Sequence, residues 1–137
     1  MRLLPLLFVG LVAAAPAWGE GGASIAAAET AAAGWLRLLD DGQYDASWAQ
    51  AAALFKQRVT QDQWQARVKT VRESLGKFVA RSRTTAASMR TLPGVPDGDY
   101  VVLRFATMFS KKQNAMETVT EMRGADGSWR MVGYFLQ

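Results

Sequence analysis

The spacing of apolar residues changes once along this chain. In the first half they recur every three or four positions, which is the mark of helices with one buried face. Ser24 is placed to cap a first helix carrying Ala28, Ala32, Trp35, Leu36 and Leu39, and Gly42 stops it. Asp45 is placed to cap a second, with Trp48, Ala52 and Phe55 on one side. Thr60-Gln61-Asp62-Gln63 has the form of a capping box, and Trp64, Val68, Val71 and Leu75 follow at intervals of four, three and four before Gly76. Beyond Gly76 the pattern is that of strands. Phe78 to Met89 is a polar first strand, and Thr91 to Gly98 is a loop. Tyr100–Phe105, Met116–Met122 and Trp129–Leu136 are then rich in β-branched and aromatic residues. The fold class expected is α+β, with N-terminal helices packed on one face of a C-terminal curved antiparallel sheet of about four strands.

Turn chemistry sets an expected register for the last hairpin. Treating Gly124-Ala125-Asp126-Gly127 as the whole loop puts Arg123 opposite Ser128, Glu121 opposite Arg130 and Val119 opposite Val132. Met122 then meets Trp129 and Met116 meets Phe135, each matched pair contributing about 0.2–1 kcal/mol. The helix stripe of Trp35, Trp48, Trp64, Val68, Val71 and Leu75 should cover Val101, Leu103, Phe105 and Phe109. The opposite sheet face should then hold Tyr100, Val102, Arg104, Ala106 and Met108, with Val119, Arg130, Val132, Tyr134 and Leu136. That face is half apolar, so Tyr100, Val102, Val132, Tyr134 and Leu136 are candidates for a pocket or for a homodimer contact through the sheet.

Composition adds a compartment. Met1-Arg2, an apolar run from Leu3 to Ala15 and a small-residue exit have the form of a secretory signal peptide over residues 1–19, leaving one α+β domain over 20–137. The apolar run is shorter than the roughly 20 residues of a spanning helix, so no stable membrane anchor is expected after cleavage. Periplasmic or secreted localisation follows, with cleavage near Ala17 to Gly19. The chain has no cysteine, which excludes both a disulfide staple and an N-terminal lipidated cysteine.

Charge and chemistry narrow the function classes. The formal net charge is +4, and Lys56 to Arg90 carries nine basic residues against Asp62 and Glu73. A solvated helix face is the ordinary meaning of such a run; the sharper one is a polyanion contact through Arg67, Lys69, Arg72, Lys77, Arg81 and Arg83, to an acidic envelope polymer or anionic lipid. Nucleic acid is not expected, because an exported chain rarely meets it and no recognition motif is visible. With no His and no Cys, imidazole bases, thiol nucleophiles and His/Cys metal clusters are excluded. No phosphate-cradling or dinucleotide fingerprint occurs, so no cofactor and no metal are expected. Asp40-Asp41 reads as a surface turn, and the methionines read as core rather than thioether ligands.

Trp129-Arg130-Met131-Val132-Gly133-Tyr134-Phe135, the stretch Phe55 to Trp64 continuing to Arg72 and Gly76, and the strand Glu117-Thr118-Val119-Thr120 together resemble the exported bacterial "domain of unknown function 4019" family. The helix-then-sheet order is also similar to cystatin-like or nuclear-transport-factor-like rolls. The resemblance implies fold and location, not an activity. Three functional readings remain. The first is a non-catalytic module of the cell envelope binding a small ligand or an envelope protein. The second is an isomerase- or hydratase-type enzyme using a carboxylate base and a tyrosine acid, for which Glu117, Tyr100 and Tyr134 are the candidates. The third is the polyanion-docking surface. The exported form is expected to begin at Glu20 or Trp18, and N-terminal mass analysis of protein recovered outside the cytoplasm checks this: retention of Met1 would contradict it.

Overall fold

The structure, a computed structural model, describes residues 18–137. Most of the expected leader therefore lies outside the described residues. Four helices, α1 (Trp18–Asp40), α2 (Tyr44–Ala49), α3 (Ala53–Arg58) and α4 (Gln61–Leu75), precede four strands, β1 (Phe78–Met89), β2 (Tyr100–Phe109), β3 (Lys112–Arg123) and β4 (Trp129–Leu136). The strands form one antiparallel meander in the order β1-β2-β3-β4, with the helices over one face. The expected fold class is the one observed.

Local chemistry explains most boundaries. Thr60 and Gln63 form the reciprocal capping box that starts α4. Ser24 does not cap α1 but lies within it, because the helix already runs from Trp18. The expected second helix is two short ones, α2 and α3, with Gln43 rather than Asp45 at the first N-cap. The break has a tertiary cause. Ala52 turns extended and donates its N–H to Met131 O at 2.7 Å, covering part of the outer edge of β4. Gly76 ends α4 at φ +80°, and a Cβ there would stand 2.1 Å from Ser110 Oγ. Only glycine lets the end of α4 dock on the β2–β3 turn, where Lys111 N donates to Leu75 O at 2.9 Å.

The core lies between the helices and β2–β4. Ala28, Ala32, Trp35, Leu36 and Leu39 of α1 and Trp64 and Val68 of α4 pack with Val101, Leu103, Phe105, Val119 and Met131. Leu75 joins Phe109 and Ala115 in a smaller cluster. Trp64 stands at the centre of an aromatic group, with centroids 6.0 Å from Trp35, 5.3 Å from Phe55 and 6.3 Å from Tyr134. Its Nε1 donates to Ser47 Oγ at 2.9 Å, while Trp35 Nε1 donates to Ser47 O at 2.9 Å. One buried serine thus satisfies two indoles that would otherwise be stranded. Val71, expected inside, is 40% exposed, since α4 turns that position outward.

The last hairpin departs from the expected register. Arg123 pairs with Trp129, Met122 with Arg130 and Glu121 with Met131; past a bulge at Val132, Thr120 pairs with Gly133, Val119 with Tyr134 and Glu117 with Leu136. Ser128 is held in the turn, its N–H and Oγ donating to Asp126 Oδ1 at 3.0 and 2.7 Å, so the loop is one residue longer than the glycines suggest. A one-residue slip exchanges the two faces of a strand. Between the turn and the bulge the slip therefore sends Met131 inward and Arg130 outward; past the bulge parity is restored, and Val119, Tyr134 and Leu136 face the helices because Val119 pairs with the buried Leu103 of β2. Truncating Trp64 to Ala is expected to cost about 3–5 kcal/mol of a total near 5–15 kcal/mol. Chemical denaturation measures it, and an unchanged midpoint would contradict the packing described.

Candidate functional site

Strand β3 presents two carboxyls to the helix-facing side, Glu117 and Glu121, and both are fully buried. They have opposite surroundings. Glu117 sits among cations and donors. Its Oε1 accepts from Arg81 Nε at 2.8 Å and Thr107 Oγ1 at 2.6 Å, while Oε2 accepts from Arg72 Nη1 at 3.3 Å and from the Tyr134 hydroxyl. Asp40 at the end of α1 completes the group, accepting two hydrogen bonds from Arg81 at 2.9 Å and one from Arg72. Arg72 also lies over the Phe109 ring and Arg81 over Phe78, at 4.6 and 4.5 Å. Two arginines and two carboxylates thus cancel in charge, with the lone pairs of Glu117 filled. Burial and the field of Glu117 push the Tyr134 phenol well above its ordinary range.

Glu121, one helix-facing position beyond Val119 on the same strand, has none of this. Neither carboxyl oxygen has a hydrogen-bond partner among the described residues. Desolvation raises its pKa to about 8, so the group is mostly protonated at neutral pH. It lies at a cleft of about 410 Å³ between α1 and the β3–β4 hairpin, lined also by Thr30, Gly34, Trp35, Gln50, Ser128 and Trp129. Gly34 opens the α1 side, since a Cβ there would meet nothing within 4 Å. A small cleft over an unpartnered carboxyl, with two indoles and two hydroxyls around it, can hold a compact ligand by charge, hydrogen bonds and ring faces. Among the described residues no group of His, Cys, Asp and Glu could hold a metal ion.

The residues picked out by sequence are distributed differently from expectation. Of the basic set, Arg72 is buried and Arg81 nearly so, both neutralised by Asp40 and Glu117, and Arg83 pairs with Glu29 at 2.9 Å. Those two buried guanidiniums cannot meet a polyanion; Arg67, Lys69 and Lys77 are exposed. Asp40 belongs to the ion-pair group rather than to a surface turn. The candidate acid and base, Tyr134 and Glu117, do meet, but as members of that saturated group. Tyr100 is buried and donates its hydroxyl to Pro96 O at 2.5 Å. Of the five proposed outer-face residues, Val102 alternates outward as expected and Val132 is half-buried at the bulge, whereas Tyr100 is buried and Tyr134 and Leu136 point inward. Sequence reading missed Glu121 as a site residue. A signal was present in the period-two spacing Ala115-x-Glu117-x-Val119-x-Glu121, which puts Glu121 on the same face as Val119.

The family described as "protein of unknown function (DUF4019)" matches residues 31–134, and the chain belongs to it. No curated protein and no solved structure matches the chain. Among the described residues no helix is long and apolar enough to cross a membrane.

The buried carboxyl makes stability depend on pH. An unfolded glutamate ionises near 4.3, whereas folded Glu121 holds its proton to about 8. Between those values the folded state binds the extra proton, so its stability falls as pH rises, by up to about 1.4 kcal/mol per unit for this group. Glu121→Gln removes the titration. Denaturation at pH 5, 6.5 and 8 is expected to show wild type losing stability relative to the Gln variant at each step. A constant difference across that range would mean that the carboxyl ionises freely.

Proposed function

We propose that this protein is a non-catalytic ligand-binding module of the bacterial cell envelope, and that its site is the cleft between α1 and the β3–β4 hairpin. The observation that carries the reading is the Glu121 carboxyl, fully buried beside that cleft without a hydrogen-bond partner among the described residues. An unsatisfied buried polar group costs on the order of 1–3 kcal/mol. A leucine in its place would fill the same space without that penalty. A residue kept at a cost to stability is what a binding site requires. The leader-like residues 1–19 support export.

Binding is favoured over catalysis because the tyrosines and the carboxylate available for proton transfer are otherwise engaged. Glu117 and Tyr134 bond each other within the ion-pair group, and Tyr100 is tied to the loop backbone. The isomerase- or hydratase-type reading has one observation in its favour, the raised pKa of Glu121, which suits a general base near neutrality. No tyrosine or lysine joins it in the lining of the cleft among the described residues.

Glu121→Leu is expected to raise stability by about 1–3 kcal/mol, since it removes an unpaired buried polar group and keeps the volume. An NMR screen of small soluble fragments against wild type should shift the amides of Thr30, Gln50, Ser128 and Trp129 together, and Glu121→Leu should abolish those shifts. Lower stability in the Leu variant, or fragment shifts confined to other surfaces, would count against the reading. Turnover of a bound fragment that Glu121→Gln abolishes would move the protein to the enzyme class.

A further inference from the structure

The hydrogen-bonding capacity left over in the cleft specifies its ligand more closely. Thr30 Oγ1 already donates to Ala26 O at 3.0 Å, and Ser128 Oγ donates to Asp126 Oδ1 at 2.7 Å. Each hydroxyl has one proton, so both offer only lone pairs to anything in the cleft. The Trp35 N–H is likewise committed, to Ser47 O at 2.9 Å. Glu121, once ionised, adds two acceptor oxygens and a negative charge. Three of the lining's donors are thus in use; Gln50, Trp129 and Arg130 keep theirs, while the fully buried polar group of the lining, Glu121, is an acceptor once ionised. Trp35 and Trp129 stand at its sides, and indole faces attract cations more strongly than other aromatic rings.

Resting on the cleft reading above, we infer that the site takes a protonated primary amine, with the Glu121 carboxylate as counter-ion and the Thr30 and Ser128 hydroxyls as further acceptors. An ammonium has three N–H donors and no acceptor, which complements the two hydroxyls and the Glu121 carboxylate. A carboxylate ligand would instead bring a second negative charge beside Glu121. The charged groups around Glu121 agree with this. Arg130 borders the cleft but, by strand alternation, leaves β4 on the face opposite to Met131 and Glu121. Asp126 carries the second charge nearby, held below its ordinary pKa by hydrogen bonds from Ser128 and by the field of Arg130. Among the described residues, α1 and Gln50 add no ionisable side chain to the lining. The volume of about 410 Å³ suits a small molecule or one amine-bearing side chain.

Amine binding must displace the Glu121 proton, because the carboxyl is neutral in the free protein below pH of about 8. The test is calorimetric titration of the full chain with hexylamine at pH 6, 7 and 8, in two buffers of different ionisation heat, with hexanol and hexanoate as comparators, and the same three probes followed by amide NMR. Hexylamine is expected to release close to one proton at pH 7 and to bind about tenfold more tightly at pH 7 than at pH 6, levelling off above 8. Glu121→Gln should weaken binding at least tenfold and remove the pH dependence. Gly34→Leu is the control for folding. It adds a good helix former where a Cβ meets nothing, so the domain should stay folded while the cleft is filled and hexylamine excluded. Hexanol or hexanoate shifting the Thr30, Gln50 and Ser128 amides where hexylamine does not, or hexylamine binding without proton release, would overturn the amine assignment and leave a binding cleft. Silence of those amides toward all three probes would overturn both the assignment and the cleft reading.

Discussion

The structure depends on one buried electrostatic group, Asp40, Arg72, Arg81 and Glu117, joined by Thr107 and Tyr134. These residues come from α1, α4, β1, β3, β2 and β4 respectively, so a single hydrogen-bonded cluster touches every element except α2 and α3. Each ion alone would be costly to bury. Paired, and with Glu117 accepting from four donors, the set is neutral and satisfied, and what it supplies above all is geometry. An apolar core of the same volume would tolerate sliding of one layer over another. A bidentate contact between Arg81 and Asp40 does not, because planar forks match carboxylates in few orientations. The group also makes removal of any one member severe, since it would leave an uncompensated charge in the interior.

That constraint explains the hairpin. For Tyr134 to reach Glu117 it must stand on the helix-facing side of β4, packed at 5.3 Å against Trp35. The extra residue in the turn held by Asp126 and Ser128 would by itself put Tyr134 on the open side, and the bulge at Val132 returns it to the helix-facing side. Bulges near functional clefts commonly re-aim a side chain in this way. The same rearrangement sets Met131, which has no side-chain donor, opposite Glu121 in place of Arg130. Glu117 and Glu121 are thus a matched pair of experiments made by one strand. Four residues apart and on one face, one is neutralised by two guanidiniums and the other is left without a counter-charge. The difference in their chemistry is a difference of neighbours contributed by other elements.

Legibility in the sequence followed the range of the interaction. The capping box at Thr60, the stop at Gly76, the polar first strand and the loop from Thr91 were read correctly, because each rests on contacts within a few residues. The helix-facing set Val101, Leu103 and Phe105 was read correctly too, since alternation is a property of a strand alone. The break between α2 and α3 was not visible, because it is made by Met131, nearly eighty positions later, accepting the N–H of Ala52. The basic run from Lys56 to Arg90 looked like one surface, yet Arg72 and Arg81 are buried against acids supplied by α1 and β3. A count of charges along the chain carries no information about which of them will be neutralised.

By itself, the sequence determined the class of the fold, the order of its elements, the face that β2 buries and the chemistry that no side chain could perform, including every role of histidine and cysteine. These follow from periodicity, capping and inventory, all of which are local. Tertiary structure alone decided the register of β4, the neutralisation of Arg72 and Arg81, the engagement of Tyr134 and the isolation of Glu121. Each of these depends on groups far apart in the chain meeting in a medium of low dielectric, where a neighbour a few ångströms away outweighs anything the residue carries by its own nature.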